Sequence, residues 1–185
     1  MQSQAPVPFE SDLVAGASSD GSGDALSLAS ATTGRFRAAG EARDVEAMLA
    51  TLSEDVVLHS PITDRVTFAG LDEMRELLRA VFTVIDDIHY SADVGAEHVR
   101  ALFYTAKVGG QPLEEATRVQ LNDRQQISEI TIFFRPLPGL AALTSALAPR
   151  LARKHGRVRP LVASLLIGPL GLLTRLGDRL ATWFT

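Results

Sequence analysis

Residues 44–61, DVEAMLATLSEDVVLHSP, change their apolar period partway along, and that change restricts what the chain can fold into. Val45, Met48, Leu49 and Leu52 recur at helical spacing and give one apolar helix face. Ser53-Glu54-Asp55 stops this pattern, and Val56-Val57-Leu58 opens a β-rich run that Pro61 ends. The expected order is a helix over 44–53, then a short buried strand over 55–60.

The flanking segments extend the pattern. Thr32 or Thr33 can cap a preceding helix that runs to about Ala42. Residues 1–31 are rich in Ser, Ala, Gly and Asp, and SDGSGD at 19–24 reads as linker, so a disordered tail is expected there. Arg65–Ala69 can supply a short hairpin partner for the first strand. Gly70 then leads into a helix with Leu71, Met74, Leu77, Leu78, Val81, Phe82 and Ile85 on one face. Strands are expected over 89–95, 98–108, 113–121 and 126–135, with turns at GGQP (109–112) and NDR (122–124). Helices followed by sequential antiparallel strands define an α+β class.

Composition narrows the chemistry. A chain of 185 residues holds one domain of ordinary size, roughly 100–150 residues, with extensions. The absence of cysteine removes disulfides, thiolate chemistry and cysteine-based zinc sites. His59, His89, His98 and His155 show no metal-binding spacing, so no metal and no cofactor are expected. A net charge of −4 argues against general nucleic-acid binding. Residues 1–34 carry no base, whereas residues 136–185 carry seven bases and one acid. The chain is thus an acidic body with a cationic, apolar end. Its start lacks the basic and continuous apolar stretches of a secretory signal, so a cytoplasmic placement is expected.

The helix–break–strand segment, TFAG and the helix after Gly70 resemble the nuclear transport factor 2-like superfamily, which includes SnoaL-like polyketide cyclases, ketosteroid isomerases and limonene epoxide hydrolases. The resemblance covers about 35–135. It implies a cone-shaped fold with helices packed on a strongly curved antiparallel sheet around a hydrophobic pocket, here with a C-terminal helical extension. The expected domains are a tail at 1–31, a SnoaL-like domain at 32–136 and the extension at 137–185.

The resemblance also implies site positions. Ketosteroid isomerases carry an oxyanion-donating tyrosine where counting back from Asp44 reaches Phe36. Their base is the aspartate before the strand-ending proline, which is Ser60 here, and a hydroxyl is a poor proton acceptor near neutral pH. Their second donor, an aspartate on the penultimate strand, corresponds to Thr117. For the epoxide hydrolases, Arg118 and Gln120 occupy the paired positions and Arg135 sits near the final acid, so both acids are missing. No residue matches the SnoaL aspartate.

The isomerase register turns Ser60, Glu115, Thr117, Ile130, Ile132 and Phe134 toward the cavity, together with Phe36. It turns His59, Arg118 and Arg135 to the convex side, where superfamily members often dimerise. Glu115 is the best surviving acid, although a glutamate directly after a turn ordinarily faces solvent. His59 reads as a base or as a strand or interface histidine. Tyr104 reads as a ligand donor or as a buried tyrosine with a local acceptor. Arg118 and Arg135 can bind an anion or pair with nearby acids.

In the extension, Leu140, Leu143, Leu147 and Leu151 form a helix stripe that Pro149 interrupts. The basic run RLARKHGRVR at 150–159 follows, then an uncharged stretch at 161–174 that is shorter than the roughly 20 residues needed to span a bilayer. The extension can cover the pocket or a dimer surface. It can lie on an anionic membrane through 150–184, with Trp183 and Phe184 as anchors, or it can bind another protein. The expected function is binding of a small hydrophobic molecule. Catalysis, if present, would be that of a cofactor-independent cyclase, isomerase or hydrolase. The alternative is a non-catalytic membrane-associated or assembly module, and a homodimer is open to either.

Overall fold

Alternation at every second residue builds the sheet, and helical stripes cover one side of it. The computed structural model describes residues 19–63 and 66–152. The elements are α1 (Ser19–Ala42), α2 (Val45–Leu49), β1 (Leu52–His59), β2 (Thr67–Ala69), α3 (Gly70–Val81), β3 (Ile85–Gly95), β4 (Val99–Val108), β5 (Gln111–Leu121), β6 (Ile127–Arg135) and α4 (Leu137–Ala152). They form an α+β fold, with one mixed sheet of order β2-β1-β6-β5-β4-β3.

The two hairpin turns sit where their residue types place them. Gly109 and Gly110 both take positive φ, 55° and 82°, which a two-residue turn matching the strand twist requires. Asn122 closes the other turn, its side-chain oxygen accepting from the backbone N–H of Arg124 and Gln126, each at 3.0 Å. Register shifts in β3, between Asp86 and His89 and again between Tyr90 and Ala92, bend the sheet around its helical side.

One strand pair departs from the expected antiparallel sheet. β1 runs parallel to β6, with Val57 opposite Glu129 and Leu58 opposite Ile130. Five elements separate these strands in sequence, so no hairpin fixes their direction. β1 also begins earlier than expected, at Leu52. Ile127 N–H donates to Thr51 O at 3.0 Å, and a register shift before Val57 accommodates Ser53-Glu54-Asp55 within the strand. α2 is correspondingly short. It is capped by Asp44, whose carboxylate accepts from Ala47 N–H at 3.0 Å.

The first helix corrects the expected tail at 1–31, because α1 begins at Ser19 rather than at Thr32 or Thr33. Its buried positions include, besides Phe36, the small or polar residues Ala29, Thr32, Thr33 and Ala39, which give a weak hydrophobic signal. A polar tie adds to their packing. Thr33 Oγ1 donates to Asp93 Oδ2 at 2.6 Å, and Arg100 Nε donates to Asp93 Oδ1 at 2.7 Å. This buried pair fastens α1 to β3 and β4. Ile85 is a second correction, since it opens β3 and does not extend the stripe of α3.

The extension is helical from Leu137, and α4 continues through Pro149 to Ala152. Gly139 sets its closeness to the sheet: a Cβ there would lie 2.4 Å from the Pro112 carbonyl oxygen. The basic run from Arg153, the apolar stretch at 161–174 and the proposed anchors Trp183 and Phe184 lie outside the described residues, as do residues 1–18. No described helix is long and apolar enough to cross a membrane.

Candidate functional site

The inward-facing sheet residues and the stripes of α1, α3 and α4 enclose a cavity of about 140 Å³. Roughly 10–15 Å³ by this measure holds one water, so there is room for a small organic molecule. Phe36 reaches it from α1 and Ser60 from the end of β1. Tyr104, Glu115 and Thr117 line it from β4 and β5, and Ile130, Ile132 and Phe134 from β6.

Strand registry assembles the polar part. Tyr90 is opposite Tyr104, Tyr104 is opposite Glu115, and Glu115 is opposite Phe134, so one row crosses four strands. On β5, Leu113, Glu115, Thr117, Val119 and Leu121 are all buried, which places the acid in phase with the core. Glu115 is only 7% exposed. The expectation that a glutamate beside a turn faces solvent therefore fails for this residue.

Each carboxylate oxygen of Glu115 has a hydroxyl partner. Tyr104 donates to Oε2 and Thr117 donates to Oε1. Burial pushes the carboxyl up to about 7, against the opposing effect of the Thr117 and Tyr104 hydrogen bonds. Burial also raises the Tyr104 phenol well above its ordinary value, and the neighbouring Glu115 charge adds to that. No other charged side chain lines the cavity among the described residues.

Tyr90 completes the row, and the sequence reading missed it. It is 8% exposed, and its ring tilts 58° against Tyr104 at a centroid distance of 5.1 Å. Arg37 places its guanidinium carbon 5.7 Å from the Tyr90 ring centroid. Glu41 Oε1 accepts the Tyr90 backbone N–H at 2.7 Å. The Tyr90 hydroxyl makes no hydrogen bond to another described residue. The available signal was its place at the strand position facing Tyr104.

The remaining candidates sit elsewhere. His59 Nε2 lies 3.4 Å from Glu129, and Arg118 Nη2 lies 3.1 Å from the same carboxylate. Arg135 lies 3.3 Å from Glu114. All of these are on the outer face, away from the cavity. Ser60 Oγ accepts from Ile62 N–H at 3.3 Å, which leaves it a turn-stabilising role beside the cavity.

A cavity floored by a curved sheet and walled by helices, with one buried acid in its polar row, defines a pocket protein of the nuclear transport factor 2-like class. Residues 34–129 match the family model described as a SnoaL-like domain, and the chain belongs to that family. Its fold is similar to a steroid delta-isomerase from Pseudomonas aeruginosa, with TM-score 0.62, 26% identity and coverage of 68% of this chain and 93% of that one. It is also similar to an uncharacterised protein with a cystatin-like fold from Silicibacter pomeroyi DSS-3, with TM-score 0.63, 24% identity and coverage of 72% and 93%. A third similar structure is the epoxide hydrolase/cyclase-like enzyme SalBIII of pyran ring formation in the polyether salinomycin, with TM-score 0.51, 12% identity and coverage of 59% of this chain and 92% of that one. A search of the curated proteins finds no match.

Proposed function

We propose that the cavity binds a small, largely apolar molecule and that Glu115 exchanges a proton with it, in a cofactor-independent isomerisation or ring closure. The supporting observation is a carboxyl that is alone in an apolar cavity among the described residues, buried and pushed up to about 7. An acid with that value gives and takes protons at neutral pH with little bias. Tyr104 and Thr117 position it through its two oxygens. The Tyr90 hydroxyl, which has no hydrogen-bond partner among the described residues, can donate to a ligand oxygen in the cavity that Tyr90 lines.

The acid occupies a new place relative to the isomerase pattern. Thr117 stands where that pattern has a donor aspartate, and Glu115 lies one inward step earlier on the same face of β5, roughly 7 Å along the strand. A steroid isomerase and an epoxide hydrolase/cyclase-like enzyme of the same fold support proton-transfer chemistry as a class.

The test is hydrogen–deuterium exchange next to the carbonyl of apolar cyclic ketones in D₂O. The chain should accelerate exchange, and Glu115→Gln should lower the rate by roughly 10²–10⁴. The wild-type rate should change protonation regime near pH 7. Equal exchange by both proteins sinks the catalytic role. Binding without exchange marks a carrier. The membrane or assembly alternative would show neither and would depend on the extension at 137–185.

A further inference from the structure

The family match ends at residue 129, yet the cavity has a wall beyond it. α4 contributes Leu140, Leu143, Thr144, Leu147 and Leu151 to the lining. Leu143 and Leu151 are buried, at 4% and 6% exposure, so the helix is seated rather than loosely apposed. Gly139 permits this seating, with Pro112 O at 2.4 Å and Leu113 Cδ1 at 3.0 Å from a Cβ placed there.

The walls of the cavity differ chemically. The β4–β5 side presents Tyr104, Glu115 and Thr117. The α4 side is hydrocarbon, because its one hydroxyl, Thr144 Oγ1, donates to Ala141 O in its own helix at 3.0 Å. α3 faces the same space with Met74, Leu77 and Leu78. A ligand therefore meets hydrogen-bonding groups on the β4–β5 wall and aliphatic side chains on the α3 and α4 walls.

We infer that α4 is the specificity-determining wall of the cavity, and that the ligand is an uncharged amphiphile whose polar end meets the Glu115 row while its hydrocarbon end runs beneath Leu143 and Leu147. This inference rests on the small-molecule reading above. An anionic ligand is disfavoured because the lining holds a carboxyl and no cation among the described residues. The length of the hydrocarbon end is limited by α4, since the side chains there have backbone behind them and cannot retreat without undocking the helix.

The experiment is displacement of the neutral fluorophore N-phenyl-1-naphthylamine from the full chain by n-alkyl methyl ketones of increasing length. Wild-type affinity should rise about fourfold per added methylene, then stop rising at one length. Leu143→Trp should bring that limit to a shorter ketone without altering the steps below it. Leu147→Ala should move it to a longer one, and its opposite direction guards against misfolding of the bulky variant. A limit unchanged in both folded variants overturns the role of α4 while leaving the small-molecule reading intact. Failure of wild type to take up the fluorophore or any ketone overturns both.

Discussion

Glu114 and Glu115 are neighbours in sequence and opposites in environment. Glu114 points outward and pairs with Arg135 at 3.3 Å, whereas Glu115 is buried between two hydroxyls. One strand step, which reverses the side-chain direction, separates a surface ion pair from a candidate acid. The same burial has a cost in stability. The carboxyl rises from 4.5 to about 7 on folding, so the native state holds its proton more tightly than the unfolded chain does. Its contribution is most favourable below pH 4.5 and is lost as pH rises through about 7. Above that both states are ionised, and the loss is constant at on the order of 3 kcal/mol. Glu115→Gln does not titrate. Its stability relative to wild type should therefore climb between these two values and level off above them. Urea unfolding of both proteins across pH measures this, and parallel pH curves would refute the buried, raised carboxyl.

At the scale of elements, α4 depends on one close approach. The Pro112 carbonyl is backbone within a paired strand and cannot swing aside, so Gly139→Ala must push the start of α4 away from β5. Overpacking of this kind costs roughly 1–3 kcal/mol, and for a chain of this size lowers the melting temperature by roughly 2–10 °C. Thermal melts followed by circular dichroism should show the drop. An unchanged melting temperature would mean that α4 is not docked as described. α1 depends on contacts of another kind. Its middle turns are held by Ala29 and by Thr33 bonded to Asp93 rather than by large apolar residues.

At the scale of the whole molecule, the outer sheet face carries its own pattern. Phe103, Ala116 and Phe133 lie directly opposite one another across β4, β5 and β6. Phe133 is 58% exposed and Phe103 38%. The flanking rows are electrically balanced, Arg118 with Glu129 on one side and Arg135 with Glu114 on the other. A two-fold partner would meet a phenylalanine beside a small alanine, with no net charge to oppose it. A homodimer through this face is the expected assembly. Light scattering should give twice the 19.9 kDa chain mass for wild type and the single-chain mass for Phe133→Glu. A wild-type monomer at micromolar concentration would remove this face as a self-contact.

Local periodicity was sufficient for α3, for β4 through β6 and for both hairpin turns, because each of these shows its buried face or its turn residues within a dozen positions. The isomerase register implied by the resemblance, and not periodicity, turned Phe36, Ser60, Glu115, Thr117, Ile130, Ile132 and Phe134 toward the side that the cavity occupies, and Tyr104, left open between two roles, lines it as well. What local pattern could not supply is what covers a face. The helix over residues 19–31 is not legible locally because that stretch is mostly serine, glycine, aspartate and alanine with Ala29 buried, and the helix is fastened further on, where Thr33 bonds Asp93 far along the chain. β1 joined β6 in parallel because no short turn dictates their pairing, and Leu52 left its helix stripe to pair with Ile127. The character of Glu115 was decided in the same way. The isomerase register gave its direction, but burial among side chains of several elements takes the carboxyl out of water and raises it to about 7, against the hydrogen bonds of Tyr104 and Thr117. Desolvation is a property of everything that surrounds a group, and those surroundings come from segments that only the tertiary fold brings together.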